Sequence, residues 1–125
     1  MKKNIVIISG AGISAESGIP TFRDTDGIWE KYNPEKVASK WAWINDKSKV
    51  LDFLNLMRRE VLDKGPNEAH YIIADLERIY NVDIITTNID DFHEKAGSTK
   101  VLHLHGEILK TRSSKNPNIK YDDTV

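Results

Sequence analysis

The strongest constraint on the fold is a short apolar run that ends directly in a glycine-rich turn. Residues 5–8 read Ile-Val-Ile-Ile, and Gly10-Ala11-Gly12 follow after one serine. An apolar run of this length predicts a β-strand that is buried on both faces and central in a parallel sheet. The first glycine permits a tight turn, and the second lets the backbone approach a pyrophosphate. The segment therefore predicts a phosphate cradle at the end of a strand.

The rest of the chain predicts a Rossmann-like, doubly wound α/β fold with three visible parallel strands. Strands are predicted at residues 4–9, 82–86 and 101–104. Helical spacing or capping signals predict helices at residues 46–64, 67–80 and 91–96. Asp46 or Ser48 would cap the first of these helices, and Asn67 would cap the second. The aromatic segment 25–45 between them predicts short helices of a small lid. Ligands of such sheets bind beyond the carboxyl ends of the strands, so we expect the site at that edge.

Composition limits the classes of function that the chain can have. At 125 residues with a net charge of −1, it predicts one domain with no affinity for nucleic acid or for acidic membrane. No apolar run approaches the length of a membrane span. The lack of cysteine excludes disulfides and a cysteine-bound zinc, and it fits the reducing cytoplasm, where we expect the protein. Residues 110–125 are polar and unpatterned, so we expect a poorly ordered tail.

Three motif blocks resemble the sirtuins, the NAD-dependent protein lysine deacylases. The blocks are residues 10–23 (GAGISAESGIPTFR), residues 86–97 (TTNIDDFHEKAG) and residues 102–106 (LHLHG). Their order and approximate spacing match the family, and the resemblance covers residues 4 to about 109. It implies a partial NAD-binding domain over residues 1–109, with the helical lid at about 25–64. The lack of zinc-binding cysteines resembles zinc-free bacterial members, and the C-terminal strands of the family's sheet are missing from this sequence.

The resemblance implies a reaction, a cofactor and a substrate. The implied activity is removal of acyl groups, acetyl above all, from protein lysine, with NAD as the cofactor and nicotinamide and O-acyl-ADP-ribose as products. An acyl-lysine protein or peptide is the implied partner. Two alternatives stay open: an NAD glycohydrolase that needs no acyl-lysine, and a non-catalytic fragment that binds NAD or ADP-ribose. Three strands leave an unpaired edge, which predicts self-association or partner binding on the third-strand side.

His105 and Asn88 are the candidate catalytic residues. A histidine titrates near neutral pH and can accept a ribose proton, which is what the matching histidine does in sirtuins. The alternative is a surface histidine that caps a turn before Gly106. Asn88 and Asp90 offer the donor and acceptor that a carboxamide needs, although they would also suit an Asx turn. By resemblance, the cofactor-binding set is Gly10, Ala11, Gly12, Ser14, Ala15, Glu16, Thr21, Phe22, Arg23, Trp29, Thr87, Asn88, Ile89, Asp90 and His105.

Several members of this set carry individual expectations. Phe22 would shield the reactive ribose carbon, unless it is an ordinary core aromatic. Arg23 would bind phosphate. Ser14 and Glu16 would help the cradle or cap its short helix. At position 87 this chain has threonine where the family usually has glutamine, which puts one ribose hydrogen bond in doubt.

Two further groups concern specificity and metals. By resemblance, Leu54 and Met57 match positions on the sirtuin helix that covers the acyl tunnel, and a neutral lining favours an acetyl or aliphatic group over a succinyl group. A shift of one residue would instead bring Arg58 into register and reverse this preference. Leu54 and Met57 could equally be core residues. The spacing of His103 and His105 also allows a metal pair, but no third ligand is evident in the sequence, so we predict no metal. We expect His103 to pack or hydrogen-bond beneath the site, and His70 and His93 to be structural.

Overall fold

The computed structural model describes residues 1–21 and 28–122, except for the side chains of Trp29 and Glu30. The strands are β1 (Lys3–Ser9), β2 (Tyr80–Thr86), β3 (Val101–His103), β4 (Lys110–Arg112) and β5 (Lys120–Asp122). The helices are α1 (Ala11–Ala15), α2 (Ile28–Lys31), α3 (Pro34–Val37), α4 (Lys40–Asn45), α5 (Lys47–Leu62), α6 (Glu68–Asp75) and α7 (Phe92–Ala96), with a 3₁₀ turn at Leu76–Arg78.

The first three strands form a parallel sheet in the order β1-β2-β3, which confirms the predicted α/β class. Within the described residues β2 is the central strand, so the prediction that the first strand is central was wrong. β1 pairs with β2 along its whole length, from Lys3 opposite Tyr80 to Ser9 opposite Thr86. Val6 and Ile8 are 60% and 80% exposed. The apolar run of β1 therefore identifies a strand, but not its place in the sheet.

The two faces of the sheet differ in burial. On one face Val82 and Ile84 belong to the core and are almost fully buried. The register places Ile8, Ile85 and Leu102 side by side on the other face. Four residues of this face are more than half exposed, and we call them the open face: Val6, Ile8, Leu102 and Leu104. The described helices do not cover this face, so they do not make the sheet doubly wound.

The lid helices and α5 share one hydrophobic core. The helix predicted from residue 46 is observed as α5. At its start Asp46 accepts a hydrogen bond from the backbone N–H of Lys49, which caps the helix. The core consists of Ile19, Val37, Phe53, Met57, Val61, Phe92 and Ile108. Because these residues come from the lid, from α5 and α7, and from the segments after α1 and β3, the core connects the lid to the end of the sheet where the strands terminate.

The helix predicted over residues 67–80 is shorter than expected. Asn67 caps it as predicted, in a capping box with His70, but the α-helix ends at Asp75 and β2 begins at Tyr80. Pairing of Tyr80 with Lys3 overrides the local helical pattern there. The expected apolar face of this helix is not buried in full either, because Ile72 and Ile79 remain exposed.

The expectation of a poorly ordered tail was wrong for residues 110–122. β4 and β5 form an antiparallel hairpin in which Lys110 lies opposite Asp122. In the turn, the Ser113 hydroxyl accepts hydrogen bonds from the backbone N–H groups of Lys115 and Asn116. Every strand residue of this hairpin is exposed, so no apolar alternation could reveal it in the sequence. Within the described residues, no helix has the length and apolar character that crossing a membrane requires.

Candidate functional site

The carboxyl ends of the parallel strands bring the three motif segments to one edge of the sheet. Gly10 follows β1, and a Cβ added to it would lie 3.4 Å from the Thr87 hydroxyl in the segment after β2. The backbone N–H of Thr87 also donates to the carbonyl of Ser9 (3.2 Å). His105 lies in an exposed turn directly after β3, followed by Gly106 in the left-handed region (φ 86°). The three motif segments therefore lie at the same edge of the sheet, as the strand order predicts.

A buried hydrogen-bond network joins α1 to the segment after β2. The Ser14 hydroxyl donates to Asp90 Oδ2 (2.8 Å) and accepts from the side-chain amide of Asn88 (3.2 Å). Ser14 is 1% exposed and Asp90 is 5% exposed, so water does not compete for these bonds. Such fully bonded polar groups in a dry environment hold a fixed geometry. Ser14, left open by the sequence, is thus the residue that joins the glycine loop to Asn88 and Asp90.

Asp90 has a second role at the start of α7. Its other carboxylate oxygen, Oδ1, accepts from the backbone N–H of Phe92 (3.1 Å). The carboxyl group therefore makes the helix-capping contact of an Asx turn and the contact with Ser14 at the same time. The contact with Phe92 N–H is the Asx turn that the sequence allowed, whereas recognition of a carboxamide by Asp90 stays a prediction.

A row of polar side chains that the sequence analysis did not single out lies beneath the site. The Ser9 hydroxyl donates to Thr86 Oγ1 (2.9 Å), which also accepts from the backbone N–H of Asn88 (3.1 Å). His93 Nε2 lies 2.9 Å from the Ser9 hydroxyl oxygen. Because Ser9 uses its own proton on Thr86, His93 must donate this bond. Ser9 and Thr86 are register partners at the ends of β1 and β2, a signal that strand pairing alone could have supplied.

His70 and His93 form a buried pair next to this row. Their ring centroids are 5.0 Å apart and both side chains are buried. His70 Nδ1 accepts from the backbone N–H of Asn67, so the proton of the neutral ring is on Nε2. Burial lowers the pKa of His70, against the opposing charge of Asp90. Burial and then the neighbouring His70 lower the pKa of His93. Both histidines are buried among contacts within the chain, and their environment favours the neutral form.

His103 contacts the backbone of the Asn88 segment and the side chain of α7 residue Glu94. Its Nδ1 lies 2.8 Å from the backbone carbonyl oxygen of Asn88, and its Nε2 lies 2.5 Å from Glu94 Oε1 on α7. Glu107 Oε1 is 4.0 Å from the same Nε2. The expectation that His103 hydrogen-bonds beneath the site therefore agrees with its contacts.

Comparison with known proteins decides the family. The model of the Sir2 family matches residues 10–124, nearly the whole chain. The chain belongs to the Sir2 family. A Helicobacter pylori protein named NAD-dependent protein deacylase is 57% identical over 119 residues, which are 95% of this chain and 52% of that protein.

Solved Sir2 structures have the same fold. The crystal structure of a Sir2 homologue with NAD superposes with a TM-score of 0.86 at 40% identity, over 98% of this chain and 48% of that chain. An ADP-ribose complex of a Sir2 homologue variant gives 0.87 at 40% identity, over 98% and 49%. This Sir2 chain thus spans about half the length of the relatives that it matches.

The other predicted cofactor residues of this Sir2 chain fall into three groups. Gly12, Ala15 and Glu16 are exposed on or just after α1, and a Cβ added to Gly12 would meet nothing within 4 Å. Ile89 packs against the hydrophobic core, whereas Ala11 and Thr21 are partly buried. Phe22 and Arg23 lie outside the described residues, as does the side chain of Trp29.

The two predicted tunnel residues are in the core or against it. Met57 is a buried core residue, and Leu54 packs on the same cluster. The neighbouring Arg58 is also buried, and its Nε donates to the carbonyl oxygen of Ile108 (2.9 Å). Both residues therefore pack as core residues do, and the guanidinium next to them is bound to the backbone.

Proposed function

We propose that this chain carries the NAD-binding part of an NAD-dependent protein lysine deacylase. The observation that carries the proposal is the buried contact of Ser14 with Asn88 and Asp90, which holds the predicted nicotinamide-recognition segment against the glycine loop. The H. pylori relative named NAD-dependent protein deacylase supports it. The proposed unit comprises residues 1–109, with the lid at about 25–64.

The residues present fit the cofactor. Gly10 and Gly12 have no side chain that could occupy the cradle, and a Cβ added to Gly12 would meet no atom within 4 Å. The amide of Asn88 and the carboxylate of Asp90 offer complementary hydrogen bonds to a carboxamide. When bound, NAD supplies the ribose carbon that receives the acyl oxygen and the nicotinamide that leaves. His105 would accept the proton of a ribose hydroxyl, as its exposed position after β3 permits.

The lining of the proposed acyl tunnel is neutral. Leu54 and Met57 are apolar, and Arg58 is buried with its Nε on the carbonyl of Ile108. An acidic acyl group would lack a cationic partner there, and burying an unpaired carboxylate is costly. We therefore infer a preference for acetyl or aliphatic groups. Faster removal of succinyl than of acetyl from one peptide sequence would contradict this preference.

Release of nicotinamide from NAD tests the activity. The chain is incubated with NAD in the presence or absence of an acetyl-lysine peptide, beside His105→Ala and the exposed-surface control Ser48→Ala. Release that depends on the peptide and on His105 is the expected result. Release without peptide would indicate an NAD glycohydrolase instead. Absence of release together with NAD binding would indicate a non-catalytic binding module.

The open face supports a proposal about the partner of this chain. Four large apolar side chains exposed on one sheet face are unusual for an isolated domain, since such patches mark interaction sites. We propose that the remaining half of a Sir2 fold covers them, because the matched relatives are about twice as long. Sedimentation tests this idea. It is measured for the chain alone, for Leu104→Lys and for the distant control Ile72→Lys. Self-association abolished by Leu104→Lys alone would show that a second copy covers the face instead.

A further inference from the structure

His103 lies where three segments of the candidate site meet. Its ring contacts the Asn88 carbonyl after β2 through Nδ1 and the Glu94 carboxylate on α7 through Nε2. Glu107, two residues beyond His105, approaches the same Nε2 at 4.0 Å and is itself held by Lys110 Nζ at 3.1 Å. The side chain of His103 is only 6% exposed. One buried ring therefore links the Asn88 segment, α7 and the turn that carries His105.

The hydrogen-bond partners of His103 determine its protonation state. A backbone carbonyl and a carboxylate accept hydrogen bonds and cannot donate them, whereas a neutral imidazole carries only one N–H. Both partners are satisfied only when both ring nitrogens carry protons. Burial lowers the pKa of His103, but the bond to Asn88 and the charges of Glu94 and Glu107 outweigh burial and raise it above the ordinary value. His93 also interacts electrostatically with His103, and burial and the neighbouring His70 lower the pKa of His93.

We propose that His103, as an imidazolium, is a positioning residue that fixes the carbonyl of Asn88 and ties the nicotinamide-recognition segment to α7 and to the His105 turn. Its influence on NAD binding rests on the proposed function. We call the contacts of His103 with Asn88, Glu94 and Glu107 the brace. The brace does not depend on the proposed function, because it consists only of contacts within the chain.

The contacts of Asn88 explain why this brace would affect ligand binding. Ser14 accepts from the side-chain amide of Asn88, Thr86 accepts from its backbone N–H, and His103 donates to its carbonyl. The last of these is the only one of the three that depends on a titratable group. When His103 loses a proton, one of its two acceptors loses its donor, so the Asn88 segment or α7 is released.

The same three side chains have the donor types of a metal site. Glu94, His103 and Glu107 offer ligand atoms that all lie within 4.8 Å of one another. A doubly protonated imidazole has no lone pair for a metal, so a proton and a metal ion would compete for this position. The measurement of protonation must therefore include a metal arm.

Nuclear magnetic resonance of ¹⁵N-labelled histidine tests the brace without any activity. We expect the His103 ring to be doubly protonated at neutral pH and to titrate above the ordinary histidine pKa. In Glu94→Gln its pKa falls toward the ordinary value, whereas in the surface control Glu68→Gln it does not move. A neutral His103 ring at pH 7 would overturn the proposal. Tight binding of Zn²⁺ that raises Tm in the wild type but not in Glu107→Gln would also overturn it.

Calorimetric titration with NAD tests the effect on the site. Loss of one net hydrogen bond corresponds to about a two- to tenfold change in affinity, so His103→Gln and Glu94→Gln should weaken NAD binding by that factor. Wild-type affinity should fall as pH rises through the His103 pKa, and Glu94→Gln should move that midpoint to lower pH. If neither variant nor pH changes the affinity, His103 does not position the site. If the wild type binds no NAD, the proposed function fails while the histidine titration still tests the brace.

Discussion

Removal of the Ser14 hydroxyl should destabilise this fold more than a typical serine substitution does. Ser14→Ala removes the donor to Asp90 Oδ2 and the acceptor of the Asn88 amide in one step. A hydrogen bond to a charged group contributes about 1.5–3 kcal/mol, and a neutral one contributes about 0.5–1.5 kcal/mol. Because the site is buried, neither former partner readily gains a water molecule. We expect the free energy of unfolding to fall by about 2–4 kcal/mol, or roughly 8–16 °C in Tm.

Equilibrium unfolding in urea, followed by tryptophan fluorescence, measures this loss. Ser48→Ala is the matched control, because Ser48 is exposed on α5 and should change stability by less than about 0.5 kcal/mol. The double variant Ser14→Ala/Asp90→Asn should lose less than the sum of the single variants, because the two residues share one bond. If Ser14→Ala matched Ser48→Ala, or if the double variant were additive, the network would not be the connection between the two loops.

Other expected outcomes concern glycines and buried histidines. Gly12→Ala should raise the free energy of unfolding by about 0.5–1 kcal/mol, since Gly12 lies in α1 with open space around it. The same substitution should reduce NAD affinity at least roughly tenfold, because the added methyl group fills the cradle. Unchanged affinity in calorimetry would mean that Gly12 is not part of the site. Gly97→Ala should cost about 1–2 kcal/mol in urea unfolding because φ is +110°, whereas Gly65→Ala should cost far less. The pKa values of His70 and His93 are lowered in the folded protein, whereas an unfolded histidine has the ordinary value of 6.5. Below pH 6.5 the unfolded chain therefore binds more protons than the folded one. Stability should therefore be lost on acidification, at up to about 1.4 kcal/mol per pH unit for each histidine, and His93→Gln should flatten that slope; an unchanged slope would contradict the assignment.

Local signals in the sequence predicted the parts of the fold that depend on short-range chemistry. Asp46 and Asn67 cap their helices where expected, and the glycine turn follows β1. The order of the strands could not be predicted from the sequence. An apolar run looks the same in a central strand as in β1, one side of which is exposed. The hairpin of β4 and β5 was invisible because its pairing involves backbone groups and exposed polar side chains.

The candidate site was predictable in its location but not in its connections. Parallel strands bring their carboxyl ends together, which places Gly10 near Thr87 without further information. That Ser14 would contact Asn88 and Asp90 depends on how α1 packs after the turn, which no local pattern encodes. The two acceptors of His103 likewise come from distant segments, so its protonation could be argued only from the structure.

The pairing of β1 with β2 has a consequence for how the protein is made. Hydrogen-bonded partners in the two strands are 77 residues apart, as Ser9 and Thr86 illustrate. A ribosome adds about 5–20 residues each second, so β1 emerges roughly 4–15 s before its partner exists. During that interval an apolar strand with both edges unpaired is available to any other extended segment nearby. The helical segment that follows can fold within microseconds, but it cannot supply the missing backbone partner. The first nine residues therefore stay exposed to non-native strand pairing until β2 has been synthesised.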